Sequence, residues 1–124
     1  MKTDLTDIQT TLKNLLSVHV PPLRVRVDSA TAFELAGTKP AMQGKQKVDG
    51  YYFATVMPKP KDVRLYFFPI YTHEAAFSGL SEELRKCLKG KSCFHIKRLS
   101  SALEEEIRGM VEQGVALYVK EGLV

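Results

Sequence analysis

Residues 51–70 read YYFATVMPKPKDVRLYFFPI. Both halves are dense in aromatic and β-branched residues, the composition that fits a pleated, half-buried surface. The centre, Pro58-Lys59-Pro60-Lys61-Asp62, is turn chemistry, because proline fixes φ and supplies no backbone donor. The stretch therefore predicts two strands, Tyr51–Met57 and Val63–Ile70, joined by a short connection. Both prolines of the connection fall outside the strand interiors, as ladder bonding requires.

The flanks extend this pattern. Leu23, Val25 and Val27 alternate with Arg24 and Arg26, which predicts a half-buried strand carrying two arginines on its other face. Asp28-Ser29 opens a turn, and Ala32–Ala36 returns as its hairpin partner. Residues 37–50, rich in Gly, Lys, Gln and Pro, read as a loop. Before them, Ile8, Leu12, Leu15, Leu16 and His19 form one helical stripe over residues 4–18. Thr6 with Gln9 has capping-box spacing, and Pro21-Pro22 ends the helix.

Beyond residue 70, Ser81 caps a short helix running to about Leu88, with Gly90 at its end. Ser92–Lys97 is a short strand, and Ser101 with Glu104 is a second capping box. Leu103, Ile107, Met110 and Val111, then Leu117 or Tyr118, mark the core stripe of a long last helix. Gly109 and Gly114 each cost such a helix about 1 kcal/mol relative to alanine. Their presence predicts close packing on the sheet or a break near Gly114. The order is helix, four strands, helix, strand, helix. Strand runs joined by short turns predict an α+β fold, one domain over residues 1–124. Its antiparallel sheet would have about five strands, with helices on one face.

The 124 residues are 44% hydrophobic and 26% charged, which is globular composition, and the net charge is +4. That surplus is uneven. Residues 39–98 hold twelve basic and five acidic side chains, net +7, while residues 99–124 are net −3. Alternation would gather Arg24, Arg26, Arg64, Tyr66, Cys93, His95 and Lys97 on one open sheet face. Arginine forks with aromatics suit a small anionic ligand or a protein surface, and the competing reading is an ordinary solvated face. No RNP-like sequence accompanies the aromatics, so nucleic acid is not the expected partner. Two cysteines without C-x-x-C spacing point to free thiols, hence to a cytoplasmic protein. Neither a signal peptide nor a membrane span is expected. The apolar strands allow a homodimer.

The segment Leu88-Lys89-Gly90-Lys91-Ser92-Cys93-Phe94-His95-Ile96-Lys97-Arg98-Leu99 resembles the Lys-Gly-Lys-x-Cys-Phe-x-Ile-Lys segment of the YdhG-like family, a domain of unknown function. Tyr51–Ala54, Val63–Phe67 and Leu80–Leu84 resemble its neighbouring pieces, so the likeness covers about residues 50–120. The resemblance implies a compact fold with a sheet packed on helices and no assigned activity. Some relatives are described as frataxin-like iron chaperones, which implies iron held by acidic side chains. The candidates are Glu105 and Glu112 of the last helix, which share a face. Their neighbours Glu104 and Glu106 diverge by about 200°. No other cofactor is expected.

Cys93 and His95, two apart on a strand, share a face. They could serve as nucleophile and base, as two metal ligands, or as plain packing. Lys91 and Lys97 are expected to lower the Cys93 pKa. No third group completes a catalytic set, so no catalytic residue is assigned. His73-Glu74 lacks the second histidine of a zinc-protease helix, and no phosphate-loop pattern is present.

Overall fold

The computed structural model describes residues 1–124. Helix α1, Leu5–Ser17, is followed by strands β1, Arg24–Ser29, and β2, Ala32–Ala36. A small hairpin follows, β3, Ala41–Gln43, and β4, Gln46–Val48. Then come β5, Tyr52–Pro58, and β6, Val63–Phe67. A helical turn α2, Pro69–Thr72, a 3-10 turn, Glu74–Phe77, and helix α3, Glu82–Cys87, cross to β7, Leu88–Lys89. Strand β8, Cys93–Ile96, leads into helix α4, Ser101–Lys120. Six strands form one antiparallel sheet in the order β1-β2-β5-β6-β8-β7, and β3 with β4 stands apart. The α+β architecture expected from the strand runs is present, with more strands than expected.

Alternation decides which side of the sheet is covered. Phe33, Val56, Leu65 and Phe94 form one inward row, because register places them opposite one another. With Ile8, Leu12, Leu16, Ile107 and Val111 of the helices they belong to one contiguous core. Fully burying a side chain of this size contributes about 1.5–3 kcal/mol. Helix α1 lies over β5 and β6 and touches α4.

Several local expectations shift. Asp4, not Thr6, caps α1, accepting hydrogen bonds from the Thr6 and Asp7 backbone N–H groups. Ser100, not Ser101, caps α4, accepting a hydrogen bond from the Leu103 backbone N–H, and Leu103 is buried as expected. Strand β6 stops at Phe67 because Pro69 begins α2, where a missing N–H costs nothing. Gly90, at φ 77°, makes the turn between β7 and β8 instead of ending α3. Val25 and Val27 are about 40% exposed: β1 is an edge strand bulged around Arg26, and only Leu23 before it is buried.

Helix α4 runs unbroken through both glycines. A Cβ on Gly114 would lie 2.7 Å from Phe67 Cζ and 3.2 Å from Phe53 Cε1, so the helix meets the sheet there through a notch. Gly109 has nothing within 4 Å. The helix ends in a Schellman cap, where Leu123 N–H donates to Tyr118 O and Gly122, at φ 71°, donates to Val119 O. The Leu123 carbonyl then accepts from the Thr38 and Lys39 N–H groups and lies where a Cβ on Gly37 would be. At the other end, Lys2 and Leu99 exchange two backbone hydrogen bonds of 2.9 Å.

A second irregularity shapes β5. Between β2 and β5 the register slips, so Phe53 and Ala54 both turn inward. Tyr52 is thereby bonded by side chains: Gln43 Oε1 accepts from its N–H at 3.2 Å, and its carbonyl accepts from the Tyr118 hydroxyl. The slip turns the Tyr52 ring outward, where its hydroxyl meets Thr55.

Candidate functional site

The outward face carries two cross-strand rows. One runs Glu34, Thr55, Tyr66, Cys93 and Lys89; the other runs Met57, Arg64 and His95. Pairing of β6 with β8 thus brings Arg64 beside His95 and Tyr66 beside Cys93, as the two-residue period requires. Arg24 and Arg26 lie on β1, three strand spacings or about 14 Å from β6. Arg26 Nε donates to Glu34 Oε2 at 2.9 Å, and its guanidinium lies over the Tyr52 ring. The basic face expected as one patch is therefore two clusters.

Asp62 organises the larger cluster. It is only 6% exposed. The Pro58–Asp62 turn, closed by Lys59 N–H donating to Asp62 O at 2.9 Å, delivers its carboxylate under the sheet face. Arg64 Nε donates to Asp62 Oδ1 at 3.2 Å, and His95 Nδ1 lies 3.5 Å from Oδ2. One buried acid thus binds a cation of β6 and lies beside an imidazole of β8. Beside it is an open depression of about 340 Å³ lined by Lys59, Pro60, Lys61, Asp62, Arg64 and Lys97. None of its lysines makes an ion pair, in contrast to Lys2, Lys13 and Lys86.

Asp62, Lys59 and Lys61 escape a reading of the sequence by strand alternation, because they lie in the turn. The available signal was Asp62 two residues before Arg64. That spacing puts the only acid of residues 51–73 on the arginine's own face.

Cys93 differs from its expected state. Burial pushes its thiol pKa up, and the Tyr66 hydroxyl and Arg64, which favour thiolate, do not offset it. Lys91 is directed elsewhere, 5.1 Å from the Tyr71 ring centroid. Cys87 is raised as well, first by burial and then by Glu83. Both cysteines are free. The native protein at pH 7 should therefore react with a disulfide reagent more slowly than the urea-unfolded chain, and faster as pH rises past 9. Native labelling of Cys93 as fast as in the unfolded chain would contradict this protection.

The acidic residues of α4 are spread among separate partners. Glu105 Oε1 accepts from Arg108 Nε at 3.1 Å, and Glu112 is exposed. Glu104 binds Lys2 at 2.9 Å, and Glu106 accepts from Ser81 N–H at 2.7 Å. No three His, Cys, Asp or Glu side chains converge as a metal-holding group. No helix is long and apolar enough to cross a membrane. No family model, curated protein or solved structure matches the chain.

Proposed function

We propose that this chain is a cytoplasmic binding module that takes a small, multiply charged anion on the outward sheet face. The Lys59–Lys61–Arg64–Lys97 depression is its seat. The observation that carries the reading is the charge arrangement: four cations surround one buried carboxylate, and three of them lack an ion-pair partner. Asp62 holds Arg64 in place, so part of the ordering cost of the site is met before binding. Lysines act as point charges on a phosphate-like group, and Arg64 adds a planar fork.

A small anion is preferred to a protein partner because Pro60 is the one uncharged residue lining the depression, whereas interface cores are built on large apolar side chains. Two free thiols support the cytoplasmic setting. The resemblance of Leu88–Leu99 to the YdhG-like segment supports a binding role without an assigned activity. The reading assigns no catalytic residue.

Titration calorimetry with pyrophosphate at low salt tests the site. Saturable binding is expected, weakened about five- to tenfold by Lys59→Gln or Lys97→Gln. It should weaken further as salt screens the lysines. Absence of saturable heat, or an affinity in both variants equal to that of the unaltered protein, would remove the assignment.

A further inference from the structure

A second concavity lies at the opposite end of β6, framed by α2, the 3-10 turn, α3 and the β7–β8 turn. It has a volume of about 750 Å³ and shares no residue with the lysine-lined depression. Small-molecule sites typically span about 300–1,000 Å³ and combine an apolar lining with a few polar groups. Here Ile70, Phe77, Leu80 and Leu88 supply the apolar lining, and Tyr71 is a half-exposed aromatic wall.

Polar groups complete the lining. Arg85 Nε donates to Leu80 O at 2.9 Å and its Nη2 to Ser78 O, so the guanidinium ties down the loop before α3. It meets no carboxylate there. Lys91, in the turn opened by Gly90, holds its ammonium over the Tyr71 ring and makes no ion pair. Glu74 is the one carboxylate of the lining, so two cations outnumber it.

We propose that this concavity binds an amphipathic organic anion, with an apolar ring or branched chain against Phe77, Leu80 and Leu88 and its charged head at Lys91 and Arg85. An uncharged apolar body would leave the two cations unused. A bare inorganic anion would leave the apolar lining wet. Tyr71 serves both parts, since its face receives the Lys91 cation and its ring lines the concavity beside the apolar residues.

The test uses the whole chain and two fluorescent probes of the same body, 8-anilinonaphthalene-1-sulfonate and uncharged N-phenyl-1-naphthylamine. The sulfonate should bind saturably at one site, about tenfold more tightly than the neutral probe. Lys91→Gln should weaken the sulfonate about fivefold and leave the neutral probe unchanged. Tyr71→Ala should weaken both, while Lys59→Gln should affect neither, which separates this site from the sheet-face depression. Non-saturating fluorescence, equal affinity of the two probes, or an unaltered sulfonate affinity in Lys91→Gln would overturn the proposal. Lys91 is exposed, so its replacement leaves the core intact.

Discussion

Gly114→Val should lower the unfolding free energy by about 3 kcal/mol, near the upper end for an overpacked core. The first added carbon already lies 2.7 Å from Phe67 Cζ. That ring has little room to move. It meets Phe53 edge-on at 5.6 Å and Phe77 edge-on at 5.4 Å, and Phe53 in turn meets Tyr118 at 5.1 Å. Gly114→Ala is the sharper case, because two effects oppose. Alanine favours the helix by about 1 kcal/mol, whereas overpacking costs roughly 1–3 kcal/mol. The expected outcome is a net loss of about 1 kcal/mol. Gly109→Ala meets open space and should gain about 0.5–1 kcal/mol. One substitution in one helix is thus expected to have opposite signs five residues apart. Urea midpoints at constant m-value measure both, and a more stable Gly114→Ala would mean that the aromatic cluster is softer than its contacts imply.

Tyr118→Ala should cost about 4 kcal/mol, as for other large aromatic truncations. Tyr118 is fully buried, and its ring joins both Tyr51 and Phe53. Tyr118→Phe keeps the ring and removes only the hydroxyl that donates to Tyr52 O. That change should cost about 1–1.5 kcal/mol, because the strand carbonyl is left without its partner. Alkaline pH provides a second readout. Burial raises the Tyr118 pKa, with Tyr51 and Glu121 adding to the effect, and Tyr52 is pushed up to about 12, chiefly by burial. Well below pH 10 both phenols are neutral in folded and unfolded chains alike. Above it the unfolded chain loses its protons first, so stability falls as pH climbs toward 12 and beyond. Tyr118→Phe should flatten that alkaline decline. An unchanged decline would mean that Tyr118 does not share in it.

The parts of this fold legible in the sequence are those with one buried face. Val63, Leu65 and Phe67 alternate cleanly, so their strand and its outward residues follow from the period alone. The β3–β4 hairpin is hidden in a stretch with loop composition, because Gln43, Lys47 and their neighbours bury little and leave no apolar pattern. The slip at Phe53 is equally silent, since either Phe53 or Ala54 is acceptable as an inward residue. The α4 cap differs by one residue at Ser100-Ser101 because both serines can cap, and only the hydrogen bond from the Leu103 N–H to the Ser100 hydroxyl distinguishes them. Within the site, Arg64 with His95 and Tyr66 with Cys93 were legible by parity. The separation of Arg24 and Arg26 depends on strand order, which alternation does not encode. Asp62 depends on the path of a turn.

The Schellman cap of α4 also bears on the order of assembly. Most sheet neighbours here are close in sequence, β1 with β2 and β5 with β6, so their loops close at small entropic cost. The bond from Tyr118 to Tyr52 spans 66 residues, and Leu123 reaches still further back to Thr38. Contacts of that span reward the chain only after the intervening strands are in register. The helix terminus therefore behaves as a closing clasp: the hairpins can pair before it, and it fixes β5 and the loop after β2 when it seats. Loosening the clasp would chiefly speed the opening of the native state and leave the early pairing steps unaffected.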